Sequence, residues 1–316
     1  MESTNTRRPA GPARCERRRV DGVLLLDKPQ GITSNAALQA ARRLFCALKA
    51  GHTGTLDPLA SGLLPIAFGE ATKLAGLMTG ADKRYVASIL LGVSTDSGDA
   101  EGWVTARHPV RADAAAIEAA LAGLRGEILQ VPPMHSALKR DGRPLYELAR
   151  QGIEVDRPAR RVRIDALRLS GRDGDALTVE IACSKGTYVR AIAIDLGAAL
   201  GCGAHVTALR RTASGSFEVS DAIGLDAIER LAPEERLRLL RPPEVFASAL
   251  GRVDLDGADA QRFMHGQAIA GAFGAPGEAL RVHAGGRFRG LARVREDGCL
   301  QPVRLLDSPE AAARPT

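Results

Sequence analysis

The side chain of this sequence best suited to chemistry is an aspartate in a glycine-rich segment, Gly51–Gly62. Asp57 is the only ionised residue of that segment, and Pro58 after it favours an extended backbone at the aspartate. Glycine and proline at this density exclude a regular helix or a central strand, so we expect a loop. An Asp-Pro pair in a loop can also form an Asx turn with no chemical role.

An aromatic residue and an arginine elsewhere in the chain complete a possible constellation. The chain has only 3 tyrosines. Tyr85 follows two cations, and Tyr188 lies two residues before Arg190. An aspartate, a tyrosine and an arginine in one pocket would suit a nucleobase flipped out of its stack, because the ring can stack on the base while the arginine orients the carboxylate. Arginine suits that clamp because it is bidentate and permanently charged. Sequence spacing leaves open whether these residues converge.

Ordered elements must hold these residues in place. Apolar runs predict buried strands at 22–26 and 63–68, and a helical pattern from Leu38 to Leu48, capped by Ser34 or Asn35, leads into the loop. Alternation over 83–92 predicts a strand with Tyr85 on its apolar face. Further predicted elements are a helix at 114–124, strands at 128–131, 162–169, 177–183 and 205–212, and a helix that begins near Arg190.

The pattern also predicts a division into parts. We expect a disordered basic tail at 1–20, a catalytic domain at 21–248 and a small β-rich domain with a basic face at 249–316. Within the catalytic domain, basic and apolar residues alternate over about 132–162, which indicates a flap that meets an anion. An ordinary exposed hairpin would show the same alternation.

The composition is that of a globular protein and argues against a membrane-spanning, secreted or metal-binding protein. The chain has 316 residues, 45% hydrophobic and 25% charged, with a net charge of +6 that favours a polyanionic partner. No apolar run reaches membrane-spanning length, and the N-terminus has no secretory signal. The 5 cysteines and 6 histidines are scattered without metal-ligand spacing, which argues against a metal site and a disulfide framework and favours a reducing compartment. We therefore expect a cytoplasmic protein.

Several segments together resemble one family. The Gly-His-Thr-Gly-x-Leu-Asp-Pro motif at 51–58, with segments 22–31, 82–85, 95–102, 133–139 and 183–190, closely resembles the bacterial tRNA pseudouridine-55 synthases, the TruB family. The match runs from about residue 22 to 212 in the same order. The sequence departs from the family pattern at His135, where the family often has tyrosine.

The resemblance implies a fold and a set of roles. The fold is α+β, a mixed and mainly antiparallel sheet with flanking helices, an inserted RNA-binding thumb and a PUA-like C-terminal domain. The implied substrate is the T stem-loop of tRNA, bound by a monomer without cofactor, metal or membrane. The implied catalytic residues are Asp57, Tyr85 and Arg190, and the implied substrate-binding residues are His52, Lys28, Pro29, Tyr188 and Leu209.

Three alternatives stand beside this interpretation. A non-catalytic RNA-binding or tRNA-folding protein could use the same surface, but it would need no buried carboxylate facing RNA phosphates. A phosphate-binding loop at 51–54 lacks the G-x-x-x-x-G-K-[ST] pattern. A guide-RNA-dependent pseudouridine synthase is related, but the thumb insert and the chain length favour a stand-alone enzyme. Covalent and glycal routes of the reaction both fit these residues.

Overall fold

The structure, a computed structural model, describes residues 16–136, 138–140, 142–153 and 155–306. Residues 1–15 of the predicted tail and the last ten residues of the predicted C-terminal domain therefore lie outside the described residues. The described end of the tail lies against the catalytic domain, because the Arg18 amide donates to the Cys46 carbonyl (2.7 Å) and Val20 is buried.

Most strands follow one another in runs of two or three, with helices between the runs. The strands are β1 (Gly22–Lys28), β2 (Ala50–His52), β3 (Ala60–Phe68), β4 (Lys83–Leu91), β5 (Val93–Thr95), β6 (Val104–Arg107), β7 (Gly126–Gln130), β8 (Lys139–Arg140), β9 (Arg143–Pro144), β10 (Arg160–Asp173), β11 (Ala176–Cys183), β12 (Ala204–Ser214), β13 (Phe217–Glu218), β14 (Ile223–Gly224), β15 (Gly251–Leu255), β16 (Ala279–Ala284), β17 (Arg287–Val294) and β18 (Leu300–Leu305).

Most helices are short and lie between these strands. The α-helices are α1 (Ser34–Leu44), α2 (Ala75–Thr79), α3 (Ala114–Gly123), α4 (Leu145–Arg150), α5 (Val189–Ala199), α6 (Leu225–Arg230), α7 (Pro233–Arg238) and α8 (Gly257–Met264). The 3₁₀ helices are Gly69–Lys73, Val219–Asp221 and Pro243–Ala247.

The part of the chain predicted to be the catalytic domain is built on a mixed 10-stranded sheet in the order β14-β1-β3-β12-β4-β11-β10-β7, with β2 paired to β3 and β13 to β12. Strand β12 pairs in parallel with β3 and antiparallel with β4. In this register Arg211 lies opposite Gly62 on one side and Tyr85 on the other. Because β3 begins three residues after Asp57, the sheet brings the loop, the tyrosine and β12 to one place.

The sheet confirms the predicted alternation of β4. Ala87, Ile89 and Leu91 are buried and pack against α5, which supplies Ile192 and Leu196 to the same core. Their position follows from the period of two in a strand, which puts alternate residues on one face. The fold is the predicted one of a mixed, mainly antiparallel sheet with flanking helices.

Three local predictions were wrong. The helical pattern was predicted to reach Leu48, but α1 ends at Leu44 and Leu48 is 55% exposed. The N-cap of α1 is Thr33, whose hydroxyl accepts from the Ala36 amide (3.0 Å), because Thr33 is the last residue with an extended backbone. The loop is also shorter than predicted, since β2 includes His52 and β3 begins at Ala60. Gly62 lies within β3 at φ 100°, and a Cβ there would overlap the backbone of Arg211.

The C-terminal part is β-rich, as predicted. Strands β15–β18 form a 4-stranded sheet with α8 packed on it through the buried Phe263. Leu291 and Leu306 join a core with Phe246 of the catalytic part, so the two parts share a hydrophobic contact.

The described residues include no helix long and apolar enough to cross a membrane. Cys183 and Cys202 are buried free thiols, and Cys299 is also a free thiol. Cys46 has φ 50° and follows the end of α1.

Candidate active site

The loop that holds Asp57 is fixed by neighbours from α1 and the turn before it. The Ser34 hydroxyl accepts from the Leu56 amide (2.7 Å) and lies 3.0 Å from the Leu56 carbonyl. The Gly31 amide donates to the Pro58 carbonyl (2.8 Å). Asp57 is thus held between two residues whose backbones are anchored, although its own side chain remains 34% exposed.

Arg190, in the first turn of α5, contacts that carboxylate directly. Arg190 Nε lies 2.9 Å from Asp57 Oδ2 and 3.5 Å from Asp99 Oδ2. The Arg190 side chain is only 4% exposed and that of Asp99 only 5%. One buried guanidinium therefore faces two carboxylates, of which only Asp57 is open to a substrate.

The rest of the guanidinium is held by backbone carbonyls. Arg190 Nη1 donates to the Ser97 carbonyl (3.1 Å), and Nη2 donates to the His135 carbonyl (2.7 Å). These bonds fix the plane of the guanidinium in a way that lysine could not reproduce. His135 contributes its backbone carbonyl to this contact. A histidine in place of the tyrosine that the family often has therefore keeps the contact.

Burial and charge act against each other at Asp57. Desolvation raises the pKa of this carboxyl, and Arg190 opposes the rise while Asp99 adds to it. The ion pair with Arg190 by itself predicts a low pKa for Asp57. That expectation was wrong: the net pKa is raised, because desolvation is the largest cause and a second carboxylate, Asp99, raises the pKa further.

A second buried arginine lies on the other side of the loop. Arg211 is 2% exposed, and its Nε donates to the Leu63 carbonyl (2.7 Å) while Nη2 donates to the Gly54 carbonyl (3.2 Å). Arg211 also lies opposite Tyr85 in the pairing of β12 with β4. It therefore joins the loop to β3 beside Tyr85.

Tyr85 is half-buried beside this arginine. Desolvation raises the pKa of its phenol, and Arg211 opposes that rise. The phenol is therefore neutral at ordinary pH and can both accept a hydrogen bond and donate one. Asp57, Tyr85, Arg190 and Arg211 together are called the Asp57 pocket below.

Lys28, Pro29 and His52 lie at the edge of this pocket in different ways. The Lys28 ammonium is buried and donates to the carbonyls of Pro29 (2.9 Å) and Ile32 (2.7 Å), while Pro29 itself is exposed. Desolvation lowers the pKa of Lys28 to about 8, against the opposing charge of Asp57. Burial and then Arg211 lower the pKa of His52, so its imidazole is neutral and free to accept or donate one hydrogen bond.

Tyr188 and Leu209 complete the predicted set. The Tyr188 amide donates to Gln130 Oε1 (2.8 Å), and Gln130 Nε2 donates to the Tyr188 carbonyl (3.1 Å). Desolvation raises the pKa of the Tyr188 phenol. Leu209 packs on the core and pairs with Ala60 and Ala87, two residues before Arg211 on the same face of β12.

Sequence reasoning missed three residues that build this site. The sequence pattern at 95–99 predicts only a turn for Asp99, and the patterns at Ser34 and Arg211 predict only a helix cap and a strand position. Arg211 could have been found from its spacing, because residues two apart on a strand share a face and Leu209 was already a candidate. The contacts of Asp99 and Ser34 depend on the tertiary fold.

Family models match three consecutive parts of the chain. Residues 42–189 match the TruB family pseudouridylate synthase N-terminal domain, 190–246 the tRNA pseudouridylate synthase B C-terminal domain, and 251–306 the C-terminal domain of pseudouridine synthase II TruB. The tRNA pseudouridine synthase B of Aromatoleum aromaticum is 54% identical over 93% of this chain and 96% of that protein. The chain belongs to the TruB family.

Other TruB-family relatives are equally similar along their whole length. The tRNA pseudouridine synthase B of Dechloromonas aromatica is 52% identical over 92% of this chain and 96% of that protein. Among solved structures, a chain of the archaeal box H/ACA sRNP Nop10–Cbf5 complex superimposes with a TM-score of 0.68 and 23% sequence identity. The match covers 90% of this chain and 85% of that chain. That likeness shows the shared fold.

Proposed function

We propose that this chain converts the uridine at position 55, in the T-arm of tRNA, to pseudouridine, with Asp57 as the catalytic residue. The observation that supports this most directly is the contact between Asp57 and buried Arg190 inside the Gly-His-Thr-Gly-x-Leu-Asp-Pro segment. The curated relatives named above bear the name tRNA pseudouridine synthase B, and the chain matches nearly all of their length.

The reaction is an isomerisation whose atoms balance without a co-reactant. The bond between uracil N1 and the ribose C1′ breaks, the ring rotates, and C5 forms a new bond to C1′. The proton at C5 leaves and N1 gains one. We therefore propose that no redox cofactor, nucleotide or metal takes part.

Asp57 must be ionised for the first step. It attacks C1′ or C6 of the nucleotide, or removes a proton from the sugar. Arg190 holds the carboxylate in position and stabilises its charge against the desolvation that raises its pKa. Since this pKa is raised, the carboxylate is a stronger base and nucleophile than an ordinary aspartate once it has ionised.

Tyr85 is placed for the end of the reaction. Its ring is a stacking surface for the flipped base, and its hydroxyl can pass on the C5 proton while Arg211 fixes its orientation. Leu209 adds an apolar contact to the base, and Tyr188 lines the pocket. Lys28 and Pro29 support the pocket from the end of β1.

Substrate binding uses the surface around the pocket. We propose that His52 holds the opened T-loop and that the thumb and the PUA-like C-terminal domain contact phosphates, consistent with a net charge of +6. We expect the chain to act as a monomer in the cytoplasm, where its tRNA substrate is found.

The test is to incubate the purified full chain with an unmodified tRNA transcript and to map pseudouridine chemically at each uridine. Modification at position 55 is expected with the wild-type chain, and none with Asp57→Ala or with a transcript that has cytidine at 55. Tight RNA binding without pseudouridine would overturn the proposal and favour the non-catalytic RNA-binding alternative. Modification confined to another uridine would overturn the assignment to position 55.

A further inference from the structure

We infer that Trp103 is a stacking platform for an unpaired base of the RNA substrate, next to the nucleotide that enters the Asp57 pocket. The inference rests on the proposed function, because it assigns a contact to the same RNA. No role for this residue follows from the motif that identifies the family, since Trp103 lies just beyond segment 95–102.

Trp103 is unusually exposed. Its relative exposure is 84%, and no other large apolar side chain of the described residues reaches that value, the next being Leu129 at 68%. The adjacent Val104 is 49% exposed. A tryptophan normally buries most of its large surface, so one held open to solvent indicates a contact made with a partner.

The position of Trp103 relates it to the catalytic pocket. It ends the 96–103 loop, whose Ser97 and Asp99 contact Arg190. Trp103 follows Asp99 by four residues, which span at most about 14 Å, so its backbone lies near the Arg190 guanidinium that contacts Asp57.

The loop holds Trp103 rigidly. The Trp103 amide donates to Asp96 Oδ1 (2.8 Å), and the Asp96 amide donates to the Trp103 carbonyl (3.1 Å). Gly102 is required there, because a Cβ would overlap the side chains of Asp96 and Ser97. A base that stacks on this ring therefore meets a backbone that is already ordered, so little additional entropy is lost on binding.

The charge of the loop selects a base over a phosphate. The acidic residues Asp96 and Glu101 flank Trp103 on the N-terminal side, the carboxylate of Asp99 is buried against Arg190, and the nearest cation along the chain is Arg107, four residues on. An acidic loop repels the RNA backbone, whereas the face of any nucleobase can stack on an indole without a cation. The part of an RNA that fits this position is thus an unpaired base.

The chain contains 1 tryptophan, so its fluorescence reports on this position alone. The wild-type protein is titrated with a T-arm stem–loop transcript, and acrylamide quenching is measured with and without RNA. Stacking is expected to quench the indole emission and to shield it from acrylamide. A fully paired duplex of the same stem, as the comparison RNA, is expected to leave Trp103 accessible.

Affinity of variants measures what the contact contributes. Trp103→Ala is expected to weaken binding of the stem–loop by about 5- to 150-fold, the loss of one base–aromatic stack, while Trp103→Phe retains most of the affinity. The slope of log Kd against log salt is expected to stay unchanged, since a lost phosphate contact would lower it by about 0.7–0.9.

Leu237→Ala is the matched control. Leu237 is 36% exposed on α7, whose Arg236 donates to the carbonyl of Leu44, the end of α1 remote from Ser34. Its removal is expected to leave RNA affinity unchanged. Circular dichroism and thermal unfolding of each variant establish that the fold is intact.

The outcomes separate this inference from the proposed function. If the wild-type chain modifies tRNA while RNA neither quenches nor shields Trp103, the stacking contact is wrong and the function stands. If RNA shields Trp103 but no pseudouridine forms, the contact stands and the function falls. Equal protection by duplex RNA, or self-association that Trp103→Ala abolishes without a change in RNA affinity, would also overturn the inference.

Discussion

The two buried arginines of the Asp57 pocket are satisfied in different ways. Arg190 faces the carboxylates of Asp57 and Asp99 and two backbone carbonyls. Arg211 donates to the carbonyls of Leu63 and Gly54 and lies opposite Tyr85 in the sheet, and no carboxylate of the described residues forms an ion pair with it.

The difference separates two tasks within one pocket. The Arg190 side contains two carboxylates and one arginine, so it has excess negative charge. Arg190 holds the Asp57 carboxylate in place, but the pKa of Asp57 is still raised. The Arg211 side contains neutral acceptors, so its arginine sets the shape of the loop and the orientation of Tyr85. We expect changes on the Arg190 side to act on ionisation, and changes on the Arg211 side to act on position.

The largest expected effect follows from Asp57→Asn. It removes the reactive carboxylate and keeps the shape, so the single-turnover rate of pseudouridine formation is expected to fall by on the order of 10⁴ or more. RNA affinity should largely survive, because a carboxylate attracts no phosphate. Asp27→Asn is the control, since that carboxylate pairs with Arg210 at 2.7 and 3.0 Å instead of a pocket residue. A rate for Asp57→Asn within about tenfold of wild type would contradict the assignment.

Replacement of each arginine with methionine should lower the free energy of unfolding by a different amount. Arg190→Met leaves two carboxylates facing each other without a cation and is expected to cost about 3–5 kcal/mol of unfolding free energy at neutral pH. Arg211→Met leaves neutral carbonyls without donors and is expected to cost about 1–3 kcal/mol. Urea unfolding near pH 7 and again near pH 5 measures both. The Arg190→Met deficit alone should shrink at the lower pH, and equal behaviour of the variants would remove the distinction drawn here.

Tyr85→Phe tests the Arg211 side by removing one hydroxyl. Turnover is expected to fall by about 10²-fold, the low end of the range for general acid–base catalysis, while RNA affinity stays near wild type because the ring still stacks. Tyr85→Leu should also weaken capture of the base by about 1–3 kcal/mol. Normal turnover by Tyr85→Phe would leave Tyr85 as a stacking platform only.

The smallest expected effect is a displacement of the pH–rate profile. Since Asp57 acts when ionised and its pKa lies above the ordinary value of 3.8, the acidic limb of the rate should lie above that pH. Asp99→Asn removes a charge that raises this pKa, so the limb should move to lower pH. A limb that moves to higher pH would show that Asp99 supports ionisation of Asp57.

The raised pKa of Asp57 also predicts how the stability of the fold changes with pH. A carboxyl whose pKa is higher in the folded chain than in the unfolded chain stabilises the fold at low pH, and this contribution is lost as pH rises through the folded pKa. Ionised Asp57 therefore opposes folding at neutral pH, and Asp57→Asn should unfold at the same temperature or a higher one. Thermal unfolding at pH 7 measures this directly, and a lower unfolding temperature would contradict the raised pKa.

The sequence by itself determined much of this protein. The density of glycine and proline around Asp57, the alternation of β4 and the apolar run of β3 depend on neighbours in the chain, and the structure has the corresponding elements. The motif around Asp57 was specific enough to indicate the family. The site roles of Tyr85, Arg190, His52, Lys28, Pro29, Tyr188 and Leu209 came from the resemblance and stay predictions.

Only the tertiary structure decided how the charges are shared. The sheet register set Arg211 against Tyr85, and the 96–103 loop brought Asp99 to the guanidinium that also contacts Asp57. These residues are separated by many positions in sequence, and a local sequence pattern cannot show that they come into contact. The raised pKa of Asp57 depends on burial and on distances to three charges, which exist only in the folded chain.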